Sequence, residues 1–344
     1  MFIKSSNMTV RRSSIFIAAI LAIGFICNGC STHAGHRSIR DSLPATATAP
    51  EAYPKVLAVY EPWFGDKSHI SIGYSTQDPA VLRSQIEKAR NMGIYGFAVD
   101  WYGDRHPFLD RSTALLFKIA SEQRFHVCLM YDETEEDNGH ATDDALEAFD
   151  KAYKAYIGPD APGHNAYITY QGRPVIFIFP KRGHTDWNRV RDMVNNWPHP
   201  PLLIYKDEPP SQYASAFDGM YAWVHPGPKG WSSDGSDWGK DYLENFYQKM
   251  QTKHGDKVPV GAAWPGFNDA RASWSLNRRM DPRCGKTFED TLAIYHRYYD
   301  QSKPLPFLLI ATWNDYEEGT AIEPGLARCD KNQTDNNQVG GASR

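Results

Sequence analysis

The chain has 344 residues, with 37 Lys and Arg against 41 Asp and Glu and a formal net charge of -4. That balance offers no basic field to gather phosphate backbones, so nucleic acid is not expected as a partner. Of the five cysteines, the three beyond Cys30, namely Cys128, Cys284 and Cys329, have no metal-ligand spacing.

Arg11 and Arg12 precede an apolar run from Ile15 to Ile26. The run is too short to cross a bilayer comfortably and reads as the core of a signal peptide. Gly29 before Cys30 points to lipoprotein processing, with residues 1–29 removed and Cys30 acylated. Ordinary secretion and a retained anchor are the alternatives, and a twin-arginine signal is a weaker reading of the paired arginines. Residues 30–52 are rich in Ser, Ala, Thr and Pro without an apolar period, as in a flexible linker. Residues 330–344 are polar and rich in Gly and Asn, as in a disordered tail. The expected location is the bacterial cell envelope, beyond the inner membrane. The lipid on Cys30 serves as the membrane contact, and Ser31 does not suggest inner-membrane retention. A monomer is expected.

The body, residues 53–329, suits one large domain better than two. Its apolar runs begin at Val56–Tyr60, Gly93–Val99, His126–Tyr131 and Pro174–Phe179. They continue at Pro201–Tyr205, Phe217–Trp223, Val258–Ala263 and Phe307–Ala311. Continuous rather than alternating runs mark strands buried on both faces, as in a parallel sheet. Between them Pro79–Met92, Arg111–Gln123, Thr142–Ile157, Asp186–Asn196, Trp238–His254 and Thr287–Ser302 read as helices. Asp78 is the N-cap of the first, with Pro at its first turn. The stretch Ser211–Ala216 leaves room for only a short helix. Eight strands alternating with helices predict a single α/β domain, a (β/α)8 TIM barrel. A doubly wound open sheet is less suitable, since no glycine-rich phosphate turn follows the first strand. Cys128, inside an apolar run, is expected to be a small buried hydrophobe. An oxidising compartment would allow Cys284 and Cys329 to pair, and the sequence leaves that open.

In such barrels the active site lies at the C-terminal strand ends. Those ends here are Tyr60-Glu61-Pro62-Trp63, Asp100-Trp101-Tyr102, Tyr131-Asp132-Glu133, Tyr205-Lys206-Asp207, Trp223-Val224-His225 and Trp264–Asp269. The last is Trp313-Asn314-Asp315-Tyr316-Glu317-Glu318-Gly319. Nearly every strand delivers an aromatic ring with a carboxyl or amide, the set needed to stack on sugar C–H faces and bond hydroxyls. A content of 13% aromatics could also simply fill a core. Cleaving a glycosidic bond needs two carboxyls, one protonated and one ionised. Asp315 and Glu318 are three apart and share a side if their loop makes a helical turn. Such acidic pairs also serve as caps, and the position after the eighth strand favours the catalytic reading. On that reading Glu318 and Asp315 are catalytic. Tyr60, Trp63, Trp101, Tyr131 and Trp223 line sugar subsites, while Asp100, Glu133 and Asn314 bond hydroxyls.

The segment Asn314–Pro324 resembles the eighth-strand motif of glycoside hydrolase family 99, the endo-α-mannosidase group, which reads Asn-Glu-x-x-Glu-Gly-Thr-x-Ile-Glu. Thr312–Tyr316 is also similar to family 71, the α-1,3-glucanases. Tyr60–Gly65, Gly93–Phe97 with Asp100-Trp101, and Pro265–Asp269 resemble further family 99 segments, so the resemblance runs from about Val56 to Pro324. It implies a barrel with no catalytic metal or cofactor, Glu318 as general acid/base, and Asp315 in the place of a Glu that assists the substrate's own 2-hydroxyl. Asp is one methylene shorter, which sets its carboxylate back by about 1.5 Å on an unchanged backbone and would admit a water. The expected activity is hydrolysis of α-linkages in an α-mannan or α-1,3-glucan type of glycan. The alternative is a lipid-anchored, non-catalytic glycan-binding protein on the same scaffold. A metal-dependent barrel hydrolase is disfavoured by the absence of a His-x-His pair after the first strand. An acyl-transfer enzyme is disfavoured by the absence of a Gly-x-Ser-x-Gly elbow.

Overall fold

Eight parallel strands close on themselves. They are β1 (Lys55–Tyr60), β2 (Gly96–Trp101), β3 (His126–Asp132) and β4 (Arg173–Phe179), then β5 (Leu202–Lys206), β6 (Gly219–Tyr221), β7 (Val258–Ala263) and β8 (Phe307–Ile310). Each pairs in parallel with its successor, and β8 returns to β1 in the register Lys55↔Phe307 to Ala58↔Ile310. The computed structural model describes residues 54–134, 139–300 and 302–326. The leader, Cys30, the linker up to residue 52, Cys329 and the tail lie outside the described residues.

Helices α1 (Pro79–Asn91), α2 (Pro107–Gln123), α3 (Ala141–Ala152), α4 (Trp187–Val194), α5 (Lys240–Thr252) and α6 (Lys286–Tyr298) form the crossovers. Asp78 caps α1 by accepting from Ala80 N at 2.8 Å, with Pro79 in the first turn. Between β5 and β6 there is a 3-10 stretch, Ser211–Ala216, in place of an α-helix. Several expected boundaries move: the second helix begins at Pro107 rather than Arg111, the last ends at Tyr298 rather than Ser302, and the sixth strand shortens to Gly219–Tyr221. The second strand starts at Gly96 rather than Gly93, because Gly93 takes a left-handed φ of 83° to end the α1 turn. The third expected helix stops being α-helical at Ala152, and Tyr153–Ile157 winds as a π turn in which Tyr156 stacks on Phe117.

The strands are buried except near their ends, so the hydrophobic effect drives both faces inward: one against the helices, the other into the barrel. The two faces differ in what they carry. Ala58 and Tyr60 of β1 turn outward, with the Tyr60 hydroxyl donating to Gln85 Oε1 of α1 at 2.8 Å. Gly261 of β7 also turns outward, and a Cβ there would stand 2.8 Å from the Tyr295 ring of α6, so the bare backbone lets that helix sit close. The inward face holds Phe177 and Tyr221, whose hydroxyl donates to Ile178 O at 3.1 Å. Cys128 is buried with a free thiol. Cys284 is disulfide-bonded. Among the described residues no helix is long and apolar enough to cross a membrane.

Candidate active site

A cavity of about 400 Å³ opens at the C-terminal strand ends. The side chains that reach it follow from strand periodicity, since successive residues alternate between faces. Val59 and Glu61, Asp100, Met130 and Asp132, and Phe179 and Lys181 hold the inward parity of β1 to β4 or of the residues just past their ends, and all line the cavity. Trp223, Trp274, Asp315 and Glu318 complete the far side, and Trp63, His69, Tyr102 and Arg105 complete the rim.

The β8 loop is held by its own hydrogen bonds. Asp315 N donates to Thr312 Oγ1 at 2.8 Å, and Thr320 N and Ala321 N both donate to Asp315 O at 3.1 Å. Asp315 Oδ1 accepts from the backbone N–H of Glu317 and Glu318, each at 2.9 Å. The carboxylate therefore caps the turn that presents Glu318 while it also faces the cavity. Glu317 points away and accepts from His69 Nδ1 at 2.7 Å and Ile70 N at 3.0 Å. His69 stacks on Trp63 with ring planes 5° apart and centroids at 4.7 Å, so this pair fixes one wall of the cleft.

Among the carboxyls that line the cleft, four buried ones (Glu61, Asp100, Asp132 and Asp315) and the part-buried Glu318 are shifted together. Burial and mutual repulsion push them above the ordinary carboxylate range. Glu61 is raised by burial and then by Asp100, Asp315, Glu318 and Asp132. Asp100 is raised by burial to about 6, and Asp132 by burial and then by Asp100. Asp315 is raised by burial and then by Glu318, and Glu318 by burial. Carboxyls crowded in this way oppose one another's ionisation, which favours protonated groups beside ionised ones. Glu61 Oε2, Asp100 Oδ1 and Asp132 Oδ1 are buried with no hydrogen-bond partner among the described residues. Lys181 Nζ stands 3.5 Å from Asp132 Oδ2 as the nearest counter-charge. Among the described residues no group of three or more His, Cys, Asp or Glu is arranged to hold a metal ion.

Of the residues singled out in the sequence, Asp315, Glu318, Trp63, Asp100, Glu133 and Trp223 meet at the cavity. Glu133 is largely committed, accepting from Lys181 N at 2.8 Å and Thr185 N at 2.9 Å. Tyr60, Trp101, Tyr131 and Asn314 do not line it. Tyr60, Trp101 and Tyr131 occupy the outward parity of their strands. Trp101 packs on Tyr156, and Tyr131 on Phe149 and Trp187. Asn314 is fully buried and ties β1 to the β8 loop instead, accepting from Glu61 N at 2.8 Å and donating to Glu61 O at 2.9 Å. The sequence reading passed over Glu61 and Asp132, each one position from a tyrosine it chose. It also missed Lys181 and Trp274.

A closed parallel barrel whose strand ends bring carboxyls and aromatic rings to one cleft defines a barrel hydrolase of the sugar-cleaving class. The sequence model of glycosyl hydrolase family 71 matches residues 69–341, so the chain belongs to that family and is a glycosidase. Its fold is similar to that of the family 99 endo-α-mannosidase from Bacteroides thetaiotaomicron in complex with Bis-Tris propane. That likeness has a TM-score of 0.60 at 19% identity, over 80% of this chain and 89% of that one. A glycoside hydrolase-like protein is similar with a TM-score of 0.55 at 14% identity, over 82% of this chain and 90% of that one. No curated protein matches the chain in sequence.

Proposed function

We propose that the enzyme hydrolyses internal α-linkages in a neutral glycan of the α-1,3-glucan or α-mannan type, with Glu318 as general acid and Asp315 as base. The observation that carries this reading is the single turn that sets both carboxyls on one cavity, with Asp315 Oδ1 pinned by two backbone N–H groups. As the bond from C1 to the leaving oxygen breaks, Glu318 gives that oxygen its proton. Asp315 takes a proton from the group that attacks C1, either a water or the substrate's own 2-hydroxyl. Burial raises both carboxyls and each opposes the other's ionisation, so the pair retains a proton, while the two backbone N–H groups hold Asp315 Oδ1 as an acceptor. Trp63 and Trp223 supply faces for sugar rings. The reading includes a place in the cell envelope, held by a lipid on Cys30. Loss of membrane fractionation in Cys30→Ser checks that part.

The test is reducing-end release from α-1,3-glucan and α-mannan by the parent and by Glu318→Gln. We expect release from one of the two by the parent and a drop of about 10²–10⁴-fold in kcat in the variant. Undiminished turnover in the variant would overturn the acid assignment, and failure of the parent on both glycans would overturn the substrate class.

A further inference from the structure

The hairpin between β7 and α6 folds around one carboxylate. Phe267-Asn268 pairs with Arg279-Met280. Asp269, fully buried between them, accepts from Ser275 Oγ at 3.0 Å, Leu276 N at 3.1 Å, Arg278 N at 2.8 Å and Arg278 Nε at 2.7 Å. With four donors this carboxylate is used up in shaping the turn. Asn268 N also donates to Glu318 O at 2.7 Å, which fastens the hairpin to the β8 loop. The hairpin in turn delivers two donors to Glu318. Trp274 Nε1 donates to Glu318 Oε1 at 3.1 Å, and Arg278 Nη2 stands 3.7 Å from the same oxygen. The Trp274 ring is 40% exposed and leans edge-on against Trp63, so it forms cleft wall rather than core.

Indole and guanidinium N–H groups only donate. An oxygen that faces both is held as an acceptor. Resting on the assignment of Glu318 as the acid, we propose that Trp274, supported by Arg278, is its positioning residue: it fixes Oε1 as the acceptor and leaves the transferable proton on Oε2. In the transfer, the Oε2–H bond breaks and an O–H bond forms on the leaving glycosidic oxygen as that oxygen parts from C1. The negative charge left on Glu318 meets donors already in place on Oε1, so nothing has to reorient.

Both donors favour the ionised form and oppose burial, which raises the pKa of Glu318. Asp315 on its own loop, Glu61 after β1 and Asp100 on β2 also face it. So do Lys181 after β4, Lys206 at the end of β5, and Asp269 and Arg278 in the hairpin. A change confined to Trp274 leaves all of these in place.

Trp274→Phe keeps an aromatic wall and removes the donor. The Glu318 carboxyl carbon is identified by ¹³C NMR as the resonance that disappears in Glu318→Gln, and is titrated in the parent and in Trp274→Phe. Losing a donor to the carboxylate raises its pKa, so the midpoint should rise by about one pH unit. The alkaline limb of the kcat profile should move up with it, kcat should fall about tenfold, and KM should stay within about twofold. An unmoved midpoint in Trp274→Phe overturns the proposal, because a residue that only walls the cleft changes KM alone. Full turnover by Glu318→Gln overturns the acid assignment and the transfer role with it. The titration does not depend on turnover, so the two failures are told apart.

Discussion

Tyr60 and Glu61 are neighbours with opposite fates, and the difference is one of parity. The Tyr60 ring leaves the barrel to meet Gln85 on α1, while Glu61 enters the cleft. The same division separates Trp101 from Asp100 and Tyr131 from Asp132. A strand step reverses the side chain, so a choice one residue off exchanges a substrate contact for a packing contact. Tyr60→Phe should therefore leave KM within about twofold and lower stability by about 1 kcal/mol through its lost buried hydrogen bond. Trp63→Ala should raise KM at least about tenfold and lower stability by about 3–5 kcal/mol, since the buried ring that walls the cleft and stacks on His69 is removed. Steady-state kinetics and a denaturant midpoint on each variant check both. A KM rise in Tyr60→Phe that matches Trp63→Ala would put the ring back in the cleft.

At the scale of elements, the strands were legible because two-sided burial writes itself as continuous apolar runs. The same continuity hid the faces, for a run without alternation carries no mark of which parity points inward. The strand ends could thus be located from sequence while three of the five aromatic residues assigned to the cleft, Tyr60, Trp101 and Tyr131, lie off the cavity. The π turn at Tyr153–Ile157 depends on Tyr156 reaching Phe117, a contact between elements that no local pattern announces. The Asp269 hairpin has no apolar period either, so Trp274 carried no signal beyond being an aromatic residue in a polar loop. Glycine was informative only after packing was known. Gly261→Ala should lower stability by about 1–3 kcal/mol, because the new methyl at 2.8 Å must displace the Tyr295 ring that α6 rests on. Equilibrium unfolding measures this, and an unchanged midpoint would mean that α6 shifts without cost.

At the scale of the whole molecule, the acidic cleft sets a pH dependence opposite to ordinary acid denaturation. Asp100 is 7% exposed, and burial raises its carboxyl to about 6. An unfolded Asp titrates near 4. Below that value both states hold the proton and the group has no effect on stability. As pH rises from about 4 the unfolded chain releases its proton first, and stability falls until the folded carboxyl ionises near 6. Above that the full cost persists. Glu61, Asp132, Asp315 and Glu318 shift in the same direction and add to it. The cleft thus carries charge that its surroundings disfavour, a cost retained because catalysis needs protons and carboxylates side by side. Asp100→Asn removes one of these charges, and its side-chain oxygen can still accept from the Tyr102 hydroxyl, which lies 2.9 Å from Asp100 Oδ2. The variant should gain up to about 3 kcal/mol at pH 7, seen as a rise of several degrees in Tm, and nothing at pH 4. The comparison of Tm across those two pH values is decisive. A gain of equal size at both would trace the cost to packing rather than to ionisation, whereas a gain confined to pH 7 would place Asp100 among the groups whose burial the enzyme tolerates for the sake of its chemistry.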